Sequence, residues 1–123
     1  MVEQILPQEN SASNKLPFAD AHCDFLYGMT YYDYDIQTVS GHQSMSLRNM
    51  ATGGVKLQFF AAWIDMLLKQ NPLSQCLNMI DSYYRMLESN PCFVPFSRDF
   101  DVTQDKIATV LTVEGGEAVE GSV

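Results

Sequence analysis

The sequence lacks the cysteine pattern of a disulfide-rich secreted protein or of a thiolate metal site. Its three cysteines, Cys23, Cys76 and Cys92, form no CxxC pair, and an odd number cannot all pair within one chain. Residues 1–15 also lack the basic start and the apolar run of a secretion signal. These two absences predict reduced thiols and a cytoplasmic location.

Long apolar runs and positive charges are scarce as well. No stretch approaches the roughly 20 apolar residues that a membrane-spanning helix needs, so we expect a soluble protein without a membrane span. Only 7 Lys and Arg stand against 15 Asp and Glu, which gives a net charge of -8. Because an acidic surface repels phosphates, we expect no nucleic-acid partner. The acidity is compatible with a bound metal cation, although most acidic proteins bind none.

What the chain does have is the composition of a folded protein. Hydrophobic residues make up 46% of its 123 residues and aromatic residues 11%, which is typical of a globular chain with one small core. Residues 1–15 are polar and are predicted to form a flexible leader. Residues 16–123 are predicted to form the folded part.

Apolar patterning predicts a parallel α/β fold. Residues 55–64 and 106–113 are nearly unbroken apolar runs, as expected of strands buried on both faces. Between them, Asn71-Pro72 predicts the start of an amphipathic helix that ends near Asn90. Its predicted apolar face consists of Leu73, Cys76, Leu77, Ile80, Tyr83, Tyr84 and Leu87. Since no closing helix follows the last run, too little helix covers the sheet, and we expect an incomplete domain.

The remaining segments are predicted to be short or irregular. Residues 27–41, rich in Tyr and Asp, are expected to form a long loop or irregular helix. Residues 46–50 are expected to form a helical turn that stops at Gly53-Gly54. A short extended piece is predicted for residues 93–96, and the polar residues 97–103 could hold a further helical turn.

Three polar side chains share one side of the first predicted strand. Because strand residues alternate sides, Asp20, His22 and Asp24 point the same way. An imidazole and a carboxylate two residues apart can hold one cation, but a histidine hydrogen-bonded to a nearby acid is the simpler interpretation. Glu114 ends the last apolar run before two glycines. It is either part of an ordinary turn or a third ligand at the carboxyl ends of the strands.

Three sequence blocks, taken in order, resemble the renal (membrane) dipeptidase family of the metal-dependent amidohydrolase superfamily. They are a D-x-H-x-D strand at residues 20–24, a G-G-V-x-x-Q-F-F strand at residues 53–60 and an E-G-G-E strand end at residues 114–117. The resemblance implies a (β/α)8 TIM-type barrel, of which this chain would be roughly the first three strands. It also implies a zinc metallodipeptidase that hydrolyses the peptide bond of dipeptides.

The resemblance assigns roles to individual residues. His22 and Asp24 would be ligands of the first zinc, and Glu114 would bridge both zincs of the complete site. Asp20 would be a supporting residue. In the family a hydroxide between the two zincs attacks the peptide carbonyl. No catalytic residue of this chain is assigned beyond the metal ligands.

The rest of the family's active site has no counterpart in this sequence. The family uses two further histidine ligands, a substrate-binding histidine and arginine, and a carboxylate that handles the proton, all from later strands. The only other histidine, His42, lies in a loop where the family has no ligand, so we expect a surface or supporting role. A barrel of this kind runs to roughly 250 residues. We therefore expect an amino-terminal part of the enzyme that is inactive in isolation.

Alternatives follow from the same observations. The chain could be a catalytically silent fragment that folds or acts only with the missing carboxy-terminal part. Its partners would then be a complementing fragment or further copies of itself. A flavodoxin-like binding module is disfavoured because no Gly-rich phosphate loop follows the first strand. Cys23, between the two predicted ligands, is expected to be a packed core thiol rather than a nucleophile.

Overall fold

A computed structural model describes residues 16–121 as a mixed α/β fold, and the predicted leader lies outside the described residues. The elements follow in the order β1 (Phe18–Asp20), α1 (Phe25–Tyr31), α2 (Leu47–Gly53), β2 (Val55–Trp63), α3 (Pro72–Ser89), β3 (Phe93–Pro95), β4 (Ile107–Glu114) and a short 3-10 helix (Glu117–Val119).

The four strands form one parallel sheet in the order β1-β2-β4-β3. β2 and β4 are the long central pair, with a register that runs from Leu57 opposite Ala108 to Trp63 opposite Glu114. β3 covers only the first three residues of β4. This confirms the predicted fold class, since a parallel sheet with connecting helices is compatible with part of a TIM-type barrel.

The predicted helix boundaries have local causes that the structure confirms. The Asn71 side chain accepts the Ser74 backbone N–H at the start of α3, where Pro72 is the first residue. At α2, Ser46 accepts the Asn49 N–H in the same way. That helix ends at Gly53, and the residue that caps it, Gly54, has a φ of 84°, a left-handed conformation that glycine adopts readily.

The buried face of α3 differs from the prediction. Leu73, Leu77 and Tyr84 are exposed, and two polar residues are buried in their place. The residues that face the interior are Gln75, Cys76, Met79, Ser82, Tyr83 and Met86. The polar ones are tolerated because they find partners: the Tyr83 hydroxyl lies 2.7 Å from Thr109 Oγ1, and Gln75 bonds to the loop after β2.

Two of the irregular segments also differ. Residues 25–31 form α1, which overlaps the start of residues 27–41, the stretch predicted as a long loop or irregular helix. Residues 97–103 contain turns rather than a helical segment. There the Asp101 side chain accepts hydrogen bonds from both the backbone N–H and the hydroxyl of Thr103, and such local bonds compete with helix formation.

The core lies between the sheet and the helices. Phe60 of β2 is fully buried and packs against the rings of Tyr83 and Phe93, with centroids 6.2 and 5.9 Å away. α1 packs on both α3 and β2. This packing fixes the carboxyl end of β2 beside the start of α1.

Candidate metal centre

The carboxyl ends of β1 and β4 bring the predicted ligands to one edge of the sheet. Pairing with β2 continues past β1, because Cys23 donates its N–H to Phe59 and accepts the N–H of Ala61. His22 and Asp24 flank this paired residue, and Glu114 is the last residue of β4. Since all the strands are parallel, their carboxyl ends meet at this edge.

Three side chains converge there. His22 Nε2 lies 3.2 Å from Asp24 Oδ1 and 3.3 Å from Glu114 Oε2. The three ligand atoms lie within 4.8 Å of one another, and each side chain is about half-exposed. The structure therefore brings together the three residues that the sequence singled out, at a position open to solvent. Their role as ligands stays a prediction.

The donor set suits zinc. Imidazole nitrogen and carboxylate oxygen are both common zinc ligands. The carboxylates of Asp24 and Glu114 both approach the Nε2 atom of His22. Because this nitrogen carries at most one hydrogen, it cannot donate a good hydrogen bond to both carboxylate oxygens. A cation between the three atoms would give each of them an attractive partner.

Neighbouring residues hold the ligands in place. Asp20 Oδ1 accepts the His22 backbone N–H at 3.1 Å, which agrees with a supporting role. The buried Gln58 donates to the backbone oxygens of Asp20 and Phe59 and so links β1 to β2. His42 lies apart from this group, with an exposed ring and a backbone oxygen that accepts the Tyr34 hydroxyl.

Cys23 has the properties of a packed thiol. It is half-buried against the core, and burial is the main cause that raises its pKa to about 12. A thiol with this pKa stays protonated near neutral pH and is a poor nucleophile. The cysteine between the two predicted ligands is thus suited to packing.

Sequence reasoning missed an aromatic and acidic group beside the centre. Trp63 belongs to the strand predicted to be buried on both faces, but it is partly exposed and pairs in register with Glu114. The Tyr27 ring meets Trp63 edge-on, with centroids 5.2 Å apart, and its hydroxyl donates to Asp65 Oδ2 at 2.7 Å. That bond is the main cause that lowers the pKa of Asp65. The sequence did contain a signal for Asp65, because this acidic residue closely follows the end of an apolar strand, just as Glu114 ends one.

An open cavity of about 640 Å³ adjoins the centre. His22, Asp24, Tyr34, Asn49 and Gln58 are among its lining residues. Two of the three proposed ligands are therefore accessible to a small ligand from this cavity.

A family model for membrane dipeptidases (peptidase family M19) matches residues 6–123. The chain belongs to the membrane dipeptidase family. At the level of the family it is a peptidase-type hydrolase, and membrane dipeptidases act on dipeptides and depend on zinc in general. Among curated proteins none matches the chain. In the part of this dipeptidase-family chain that the structure describes, no helix is long and apolar enough to cross a bilayer.

Proposed function

We propose that this chain carries the first-zinc half of a binuclear metallodipeptidase centre. His22 and Asp24 would hold the first zinc, and Glu114 would bridge to the second. The observation that carries the proposal is the convergence of three ligand atoms within 4.8 Å from two separate strand ends. Residues far apart in sequence meet at the edge where parallel α/β enzymes place their chemistry.

Zinc bound in such a centre lowers the pKa of water and polarises a peptide carbonyl. The chain's own residues orient the donors. Asp20 fixes the backbone at His22, and pairing of Cys23 with β2 holds the segment between the ligands. The half-exposed donors leave room for a dipeptide to approach.

We further propose that the isolated chain is catalytically silent. Among the described residues, His22, Asp24 and Glu114 form the one group with metal-ligand geometry, so the second zinc would have Glu114 alone. β3 pairs with Ile107–Thr109 of β4, and no described strand pairs with the same side of residues 110–114. A further parallel strand from a complementing carboxy-terminal part would fit there and end beside Glu114. A second copy of the chain is the other candidate for that edge.

Calorimetric titration with zinc tests the metal centre. The wild-type chain should bind zinc, and His22→Ala should weaken binding at least about tenfold because one of three donors is lost. His42→Ala is the matched control, since it removes the other histidine away from the centre, and it should bind like the wild type. Equal binding by His22→Ala and the wild type would contradict the assignment.

A dipeptidase assay tests whether the isolated chain is catalytically inactive. The purified chain with zinc should hydrolyse Leu-Leu no faster than buffer with zinc alone. Robust turnover that disappears in Glu114→Gln would show that the isolated chain is an enzyme, and the complementation proposal would then be abandoned.

A further inference from the structure

The loop that follows β2, residues 65–70, is tied down on one side by α1. We call it the rim loop. The Tyr27 hydroxyl donates to Asp65 Oδ2 at 2.7 Å, and the Tyr31 hydroxyl donates to Gln70 Oε1 at 2.6 Å. Asp65 Oδ1 also accepts the Leu67 N–H at 2.9 Å. Both ends of the rim loop are thus bonded to one helix.

α3 holds the same loop from the other side. Gln75 is fully buried, and its Oε1 accepts the Asp65 N–H at 3.0 Å. Its Nε2 donates to the backbone oxygens of Asp65 at 3.0 Å and of Gln70 at 3.1 Å. A buried side chain with three bonds to one loop makes that loop an ordered part of the fold.

This ordered loop nevertheless exposes large apolar side chains. Leu67 is 92% exposed and Met66 63% exposed. Tyr32 is 63% exposed, Trp63 is 37% exposed, and the Tyr27 ring contacts both, with centroids 5.7 and 5.2 Å away. We call Tyr32, Trp63, Met66 and Leu67 the rim patch. Large apolar groups held in water on a fixed scaffold are typical of a binding surface.

The rim patch begins where the metal ligands end. Trp63 and Glu114 are register partners on neighbouring strands, so their side chains project from the same face of the sheet. Tyr27, which touches Trp63, lies one helical turn after Asp24 and donates its N–H to that residue's backbone oxygen. Trp63 of the rim patch therefore lies beside the proposed bridging ligand.

We propose that the rim patch binds an apolar side chain of the dipeptide and so determines substrate specificity. This inference rests on the proposed dipeptidase function of the same centre. A leucine or methionine side chain of the dipeptide would gain binding free energy by burying apolar surface of Trp63, Met66 and Leu67, whereas a glycine would leave these residues exposed to water. An acidic side chain would also meet the carboxylate of Asp65.

Trp63 supplies a direct reporter because it is the only tryptophan in the chain. The zinc-loaded chain is titrated with Leu-Leu and with Gly-Gly while Trp63 fluorescence is recorded. We expect Leu-Leu to bind about tenfold more tightly than Gly-Gly, the size of effect that apolar side-chain contacts produce in a partly open site. The double substitution Met66→Ser with Leu67→Ser should remove most of that preference. Leu77→Ser, at an exposed leucine on the outer side of α3, should keep it.

Zinc affinity measured by calorimetry on the same samples separates the two proposals. If zinc binds and the two dipeptides bind equally, or neither changes Trp63 fluorescence, the rim patch is not a specificity site and the metal centre stands. If the double variant keeps the full preference, the patch is likewise excluded. A wild-type chain that binds no zinc would overturn the proposed function and this inference together.

Discussion

At the scale of single residues, the backbone conformation of the glycine that follows Glu114 helps to position this proposed ligand. Gly115 has a φ of 80°, a left-handed conformation that costs other residues about 1–2 kcal/mol. A Cβ at this position would also meet the carboxylate of Glu117, which is the flexible end of a side chain and can move aside. The left-handed backbone is therefore the main reason that glycine is favoured directly after the proposed bridging ligand.

Gly115→Ala should therefore destabilise the chain by about 1–3 kcal/mol and weaken zinc binding, since the turn that carries Glu114 must move. Urea unfolding and zinc calorimetry measure the two effects. Gly116→Ala is the control, because Gly116 has a φ of -97° and no atom within 4 Å of an added Cβ. Equal losses in both variants would mean that the left-handed conformation is not the cause.

A second residue-scale prediction concerns the buried tyrosine of α3. Tyr83→Phe removes the hydroxyl 2.7 Å from Thr109 Oγ1 and should cost about 1 kcal/mol of unfolding free energy, because the buried Thr109 hydroxyl loses this hydrogen-bond partner. Tyr84→Phe, at the exposed neighbouring position, should change the free energy by less than about 0.5 kcal/mol. Denaturant midpoints compare the two, and a larger loss for Tyr84→Phe would contradict the assigned facing.

At the scale of elements, the sequence predicted α2, β2, α3, β3 and β4 well because their signals are local. Caps, a first-position proline and unbroken apolar runs act within one segment. The facing of α3 could not be predicted, since Leu73 and Leu77 fit a helical apolar stripe as well as Met79 does. Partners distant in sequence, such as Thr30 for the buried Ser82, decided which side is buried.

Paired substitutions on α3 test that facing. Met79→Ala removes a fully buried side chain and should cost about 2–5 kcal/mol. Leu77→Ala shortens a side chain that is exposed to solvent rather than packed in the core, and should cost less than about 1 kcal/mol. Thermal or urea unfolding distinguishes the two, and the reverse order of losses would support the face predicted from the sequence.

At the scale of the whole molecule, the free energy of unfolding should depend on pH, because the folded chain buries a thiol and a phenol in their neutral form. Burial is the main cause that raises the pKa of Cys76 above its usual 9.0 and that of Tyr83 above 10.0. Above pH 9 the unfolded chain therefore loses protons that the folded chain keeps. The unfolded state then binds fewer protons, so stability falls as pH rises through this window.

The urea midpoint should accordingly decrease between pH 8 and pH 10.5. In Cys76→Ala the decrease should be shallower, because one group with a raised pKa is gone, even if the variant starts from a lower midpoint. A midpoint that stays constant or rises with pH would contradict the raised pKa values of these groups in the folded state.

The sequence by itself determined the parallel α/β class, most element boundaries and the three candidate ligands. Strand periodicity and the three family blocks can each be recognised within a short segment of the sequence. For this reason His22, Asp24 and Glu114 could be predicted as metal ligands from the sequence. Only the tertiary structure decided that these side chains meet within 4.8 Å, and that Trp63 lies beside Glu114. That proximity depends on the register between β2 and β4 and on bonds between elements far apart in the chain, which no local pattern encodes.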